Sequence, residues 1–376
     1  MKHHTLWSHS LAERLAMLKP GTLRVAYLAP KPDFGTFRYR CVNPVEALNA
    51  HSEDISASYF FYSDLTIVDN LSDYADILVS VRTPYDARLD QLFRRFSHRD
   101  KRVVFDIDDL VFDTRFAPLV ASNLGYLLEE EELNQWTAFI SNIGTAMGMA
   151  SAVTTTNTFL AQRIRDVVDV PVHVIPNTFN AAQAEASLSL PKKASEATPG
   201  LRVGYFSGSH SHSQDFDVAA GPLADFLRKS PESSLLIAGH LEVPEAFRAF
   251  ESRITRLPFM DFVAMQGVLA SVDLNIVPLQ SSPFTHSKSE LKYFEAGLVG
   301  TPTLASATPV FAGAIEDGIT GFLAQSACWD EALVTIEQLG ASRLVKIGQA
   351  AKSHALSAYS PEVLAQSLTQ VFSNEL

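Results

Sequence analysis

Leu23-Arg-Val-Ala-Tyr-Leu-Ala-Pro30 and Leu201-Arg-Val-Gly-Tyr-Phe-Ser-Gly208 echo one another at an offset of 178 residues. Each is a β-branched and aromatic run that enters a Pro- or Gly-containing loop, which predicts a first strand and its turn. After the first copy, Ala57–Tyr62, Asp76–Val81, Arg102–Ile107, Ala152–Thr156 and Val172–Pro176 also read as strands, with helical patterns over 86–97, 129–148 and 157–167 between them. After the second, strands are expected at Ser234–Ala238, Val272–Val277 and Pro302–Ala305. Strands alternating with helices of this length predict parallel sheets covered on both faces. The stretch from Asn180 to Gly200 is rich in Ala and Ser, contains Pro191 and Pro199, and reads as a connection without a strand. The expected fold is therefore α/β, with two tandem Rossmann-like domains facing across a cleft. Their expected bounds are 1–180, a linker over 181–200, 201–360, and an amphipathic C-terminal helix over 361–376 that packs back on the first domain. Ligands of such sheets bind beyond the carboxyl ends of the strands, so the cleft is the default site.

Composition agrees with two domains: 376 residues, 47% hydrophobic and 19% charged, is a globular balance at about 150 residues per domain. The formal charge is −12, and acidic residues exceed basic ones on both sides of residue 180, by 22 to 17 and by 20 to 13. Neither half offers the basic footprint of a nucleic-acid binder. Only two cysteines are present, Cys41 and Cys328, which excludes a disulfide scaffold or a multi-cysteine zinc site. The first residues lack the apolar core of a signal peptide. No apolar run approaches the roughly 20 residues of a membrane span. A cytoplasmic chain is expected, free in solution or peripheral on the inner face of a membrane.

The most informative stretch for chemistry is Pro278-Leu-Gln-Ser-Ser-Pro-Phe-Thr-His-Ser-Lys288-Ser-Glu-Leu-Lys292-Tyr-Phe-Glu295-Ala-Gly-Leu-Val-Gly300-Thr-Pro302. Ser287-Lys-Ser-Glu290 is a capping-box pattern, predicting a helix from near Ser287 with Glu290 as part of its cap, and Gly300 before Thr301-Pro302 would end it. On that helix Lys288, Lys292 and Glu295 would share one face. Two cations at a positive helix N-terminus would hold a diphosphate, and Glu295 would meet a sugar hydroxyl. The same spacing also occurs on solvated helices.

Phe294-Glu-Ala-Gly-Leu-Val-Gly-Thr-Pro-Thr-Leu-Ala-Ser306 resembles the donor-site signature of GT-B retaining glycosyltransferases of family 4. Ile315-Glu-Asp-Gly-Ile-Thr-Gly-Phe-Leu323, Val174-Ile-Pro-Asn-Thr-Phe-Asn180 and Gly204-Tyr-Phe-Ser-Gly208 are similar to that family's flanking segments, in the same order. The resemblance spans most of 150–325. It implies a nucleotide-sugar donor (UDP-, GDP- or dTDP-linked) bound mainly by residues 204–321, with no tightly bound cofactor and no metal. It also implies a glycan or lipid-linked acceptor held by the first domain, in bacterial surface-polysaccharide synthesis. Lys288, Lys292 and Glu295 carry the catalytic expectation. Gly208, Ser209 and His210 join them as donor contacts, and Glu295 resembles the residue that hydrogen-bonds the ribose. One position departs: the second glutamate that the family often places eight residues before Glu295 is Ser287 here.

Other segments offer further candidates. Gly35-Thr-Phe-Arg38-Tyr-Arg40 follows the first strand; Gly35, Arg38 and Arg40 facing the cleft would bind acceptor or donor phosphate, and the equal alternative is a pair of surface arginines before a helix. Asp108 and Asp109 are also expected on the acceptor side. Ser207-Gly-Ser-His210-Ser-His212 is a loop suited to phosphate, and its His-x-His pair lacks a clear third metal ligand. Val103-Val-Phe-Asp106-Ile-Asp108 resembles motif I of haloacid-dehalogenase-type phosphatases. There Asp106 would attack phosphorus, Asp108 would act as acid and base, and Mg²⁺ would neutralise charge. Against it, Leu110 stands where that motif has Thr or Val, and the strand is not the first of its domain. A non-catalytic sugar-nucleotide-binding protein of the same fold is the third reading.

Overall fold

The chain was analysed as a computed structural model, which describes residues 9–32, 35–68, 70–123, 129–191, 200–208, 213–325 and 328–374. The first sheet comprises β1 (Leu23–Ala29), β2 (Ile55–Phe61), β3 (Ile77–Val81), β4 (Arg102–Ile107), β5 (Ala152–Thr155) and β6 (Val172–Val174). The second comprises β7 (Arg202–Ser207), β8 (Ser234–Gly239), β9 (Ile254–Leu257), β10 (Leu274–Val277), β11 (Thr303–Ser306) and β12 (Phe322–Ala324). Strand order is β2-β1-β3-β4-β5-β6 in one and β12-β11-β10-β7-β8-β9 in the other, and every named pairing is parallel. The two echoing segments are thus β1 and β7, each an interior strand of its sheet. Each lies where the strand order reverses, β1 beside β3 and β7 beside β10. Ligands bind at the carboxyl ends of such switch points.

The helices expected from sequence form at Ala87–Ser97, Glu130–Gly148 and Thr158–Arg165. Asp86 caps the first through the Arg88 and Leu89 amides, and Asn157 caps the third through the Leu160 amide. Hydrophobic clusters fill both faces of each sheet. The final helix, Pro361–Asn374, adds Leu364, Leu368, Val371 and Phe372 to the cluster that holds Val25 and Val79 of the first sheet. Cys41 and Cys328 are free thiols. None of the described helices is long and apolar enough to cross a membrane.

The structure differs from the sequence reading in three places. Residues Ala181–Ser189, read as connection, are helical, because Asn180 and Gln183 cap each other reciprocally. Strands β9 and β12 are short edge strands: Thr255 and Arg256 point outward from β9, and β12 has three residues. Finally, the helix expected from Ser287 begins at Leu291.

One backbone position beside the cleft leaves no room for a side chain. Gly239 ends β8 at φ +95°, and a Cβ there would lie 1.9 Å from the Ser207 carbonyl oxygen. Gly239→Ala is expected to cost about 3 kcal/mol, seen as a lower Tm, and to displace the Ser207–Gly208 turn. A variant as stable as wild type would contradict this close approach.

Candidate functional site

Both switch points open onto one cavity of about 380 Å³ between the domains. Gly35 and Thr36 reach it from the loop after β1, Arg82 from the end of β3, and Asp108 and Asp109 from the end of β4. Ser207, Gly208, Lys288, Lys292 and Glu295 face them from the second domain. Of the residues singled out from sequence, Gly35, Arg38, Asp108, Asp109, Gly208, Lys288, Lys292 and Glu295 come together here. Ser209, His210 and His212 lie outside the described residues.

Lys288 reaches the cavity from a loop, not from a helix. A capping box does form, but at Ser282 and Thr285 with Pro283 at the first helical turn, giving the short helix Pro283–His286. Ser287 closes that turn: it is fully buried, and its hydroxyl donates to the Pro283 carbonyl at 2.8 Å. Glu290 makes no side-chain cap. Its carboxyl is buried, and burial raises its pKa above the ordinary value. Lys288 therefore sits in the loop between two helices. Its ammonium pairs with Asp109 of the first domain at 3.0 Å and lies 4.0 Å from the Phe284 ring centroid.

Lys292 does lie on the helix Leu291–Leu298 and faces inward. Its ammonium is 5.5 Å from the Tyr205 ring centroid, and no carboxylate pairs with it among the described residues. Burial pulls its pKa down to about 8, aided by Lys288 and opposed by Asp215 and Glu295. One turn further, Glu295 is 4% exposed. Its Oε1 accepts from the Tyr39 hydroxyl at 2.5 Å, Gln183 Nε2 at 3.1 Å and Arg38 Nη2 at 3.2 Å. Its Oε2 has no such bond among the described residues.

Arg38 and Tyr39 are brought to Glu295 by a π-helical turn over Arg38–Val42, which runs into the helix Asn43–His51. Such turns recur at functional sites. The same turn sends Arg40 the other way. Expected at the acceptor side, Arg40 is instead 2% exposed inside the first domain. Its Nε and Nη2 fork onto Asp106 at 2.9 and 2.7 Å, and Nη1 bonds the Ile175 carbonyl and Asn177. Asp106 also accepts from the Thr154 hydroxyl at 2.7 Å. This carboxylate is fully engaged and away from the cavity, so it cannot serve as the phosphatase nucleophile. Asp108 accepts from Thr36 at 2.8 Å and from Arg82 at 3.1 Å. Burial would raise its pKa, but the Arg82 and Arg40 charges and the Thr36 bond outweigh that and hold it below the ordinary value. Among the described residues no group of three His, Cys, Asp or Glu side chains could hold a metal ion.

Sequence reasoning missed Tyr39, Gln183, Arg82 and Phe262. Tyr39 stood inside a segment already singled out, between two arginines. Gln183 carried a signal as well, because Asn180-x-x-Gln183 is a helix-start pattern whose second member can reach a neighbour.

Residues 202–341 match the family model described as "Glycosyl transferases group 1". No curated protein matches the chain by sequence. Among solved structures, Anabaena HepE in complex with UDP-glucose superposes with a TM-score of 0.59 at 16% identity, over 93% of this chain and 99% of that one. Sucrose-phosphate synthase from Thermosynechococcus elongatus gives 0.61 at 14% identity, over 93% and 98%. TarM of S. aureus, in complex with fondaparinux, alpha-GlcNAc-glycerol and UDP, gives 0.53 at 14% identity, over 79% and 55%. The chain thus carries a group 1 glycosyl transferase domain over residues 202–341 and has the two-domain GT-B fold throughout.

Proposed function

We propose that this protein transfers a sugar from a nucleoside-diphosphate donor to a hydroxyl of a glycan or lipid-linked acceptor. One observation carries the reading: the ammonium of Lys292, without a carboxylate partner among the described residues, faces a cavity shared by the switch points of two facing sheets. Breaking a glycosidic bond to a diphosphate places negative charge on the leaving phosphate, and a preorganised cation stabilises that charge. Lys292 supplies the cation. Lys288 adds a second when Asp109 releases it, and the Ser207–Gly208 turn offers backbone N–H groups. Glu295 offers Oε2 to a ribose hydroxyl while Oε1 is held by Arg38, Tyr39 and Gln183. Asp108, Asp109 and Arg82 line the opposite wall, where an acceptor hydroxyl would be held for attack. HepE bound to UDP-glucose and TarM bound to UDP make uridine the first nucleoside to test. Surface-polysaccharide assembly at the inner face of a membrane is the setting that fits such acceptors. Ser287 does not replace the family's second glutamate as a sugar contact, because its hydroxyl is already engaged.

The test is UDP release from a panel of UDP-sugars, with and without glycan and lipid-carrier acceptors. Acceptor-dependent release is expected. Phosphate release from phosphomonoesters, with no turnover of any nucleotide sugar, would overturn the proposal.

The Lys288–Asp109 pair adds a quantitative expectation. A phosphate group must compete with Asp109 for Lys288, a half-buried pair worth about 1 kcal/mol. Asp109→Asn is therefore expected to tighten UDP binding about 5-fold in a calorimetric titration. Unchanged or weaker binding would contradict the competition.

A further inference from the structure

Two buried arginines stand two residues apart and are satisfied differently. Arg40 has all three guanidinium nitrogens hydrogen-bonded. Arg38, 5% exposed, bonds through Nη2 to Glu295, while Nε and Nη1 have no partner among the described residues. Its guanidinium lies 4.0 Å from the Tyr39 ring centroid and 4.3 Å from that of Phe262. The rings cover its faces, so only its N–H edges remain for further bonds, and Arg38 borders the cavity. Buried guanidinium N–H groups without partners are costly, and a structural arginine such as Arg40 avoids that cost.

The surrounding charges indicate what would complete Arg38. Lys292 is three residues before Glu295 on the same helix, so their Cβ atoms are about 5–6 Å apart. Arg38 and Lys292 thus flank Glu295, and Asp215 offsets part of the Lys292 charge. Lys288 is occupied by Asp109. The open N–H groups of Arg38, beside the Lys292 ammonium, suit an oxyanion.

We propose that Arg38 is a first-domain ligand of the donor's diphosphate, which bridges the two domains between Arg38 and Lys292. The inference rests on the nucleotide-sugar reading above and adds a cation from the opposite side of the cleft. Arg38 packs between Tyr39 of its own domain and Phe262 of the other. It is therefore in place only when the domains are together, and the diphosphate favours that arrangement.

The test titrates uridine, UMP and UDP into wild type, Arg38→Ala and Arg38→Gln, the last keeping a planar polar group in the sandwich. Thermal melts without nucleotide report whether each variant is folded. Uridine affinity is expected to stay within about 2-fold of wild type, while UDP weakens about 10–100-fold in both variants. UDP affinity unchanged in a folded variant would overturn the inference and leave the transferase reading standing. An equal loss of uridine and UDP would also overturn it, making Arg38 a structural residue. A wild-type protein that binds none of UDP, GDP and dTDP would overturn both.

Discussion

Lys292→Ala is expected to lower kcat/KM for sugar transfer by about 10²–10³-fold while the protein stays folded. Lys292 is the one cation of the predicted pair that has no carboxylate partner among the described residues, and the helix Leu291–Leu298 holds it facing the cavity. Burial makes its ammonium unfavourable and lowers its pKa to about 8. Two consequences follow in opposite directions. Activity that depends on the ammonium falls as pH rises through about 8. Stability behaves the other way: the folded pKa lies below the unfolded one, so the cost of the buried charge is full below about 8 and fades as pH rises toward the ordinary lysine value. Lys292→Met, which removes that charge, is expected to raise stability at neutral pH by on the order of 2 kcal/mol and to lose that advantage above pH ~10. A destabilised Lys292→Met with normal turnover would make Lys292 a structural residue.

Asp106→Ala is expected to destabilise the first domain by about 3–5 kcal/mol, a fall in Tm on the order of 10 °C. Asp106 is 3% exposed at the end of β4, where Arg40 forks onto both carboxylate oxygens and Thr154 donates a further bond. Removing it leaves a buried guanidinium with only the Ile175 carbonyl and Asn177. Breaking one side of such a pair is far more damaging than replacing both, so Asp106→Leu with Arg40→Met is expected to recover part of the loss. The prediction separates this protein from the phosphatase that Asp106-Ile-Asp108 resembles. A phosphatase nucleophile could be changed to Asn with the fold intact and phosphate release abolished. Here Asp106→Asn is expected to lower Tm, with no phosphomonoesterase activity to remove.

Fold and site differ in how much of them the sequence reveals. Parallel-sheet strands buried on both faces are continuous apolar runs, so β1, β3, β4, β7 and β10 are visible as local patterns. The short edge strands β9 and β12 are not, because half of β9 is exposed and β12 has only three residues. The repeated Leu-Arg-Val-x-Tyr motif located both switch points, since each is an interior strand entering a loop. The site was legible where the helix register sufficed, as for Lys292 and Glu295. It failed where two capping boxes competed: Ser287/Glu290 and Ser282/Thr285 are both valid patterns, and Pro283 at the first turn favours the second. Arg38 and Arg40 differ by two residues, and only the π-helical turn decides which meets the cleft and which meets Asp106. The Lys288–Asp109 and Arg38–Glu295 pairs join residues that lie 179 and 257 positions apart. No spacing rule reaches that far.

The most direct measurement of the central claim is the thermal stability of the wild-type protein with UDP, uridine or no ligand. A native state that holds the diphosphate is stabilised by about 2.7 kcal/mol when UDP is present at 100 times its Kd. The account predicts a clear rise in Tm with UDP, a smaller one with uridine at equal concentration, and a much reduced difference between UDP and uridine in Lys292→Ala. Equal stabilisation of the wild type by UDP and uridine, or none by UDP, GDP or dTDP, would contradict a diphosphate site between these two sheets.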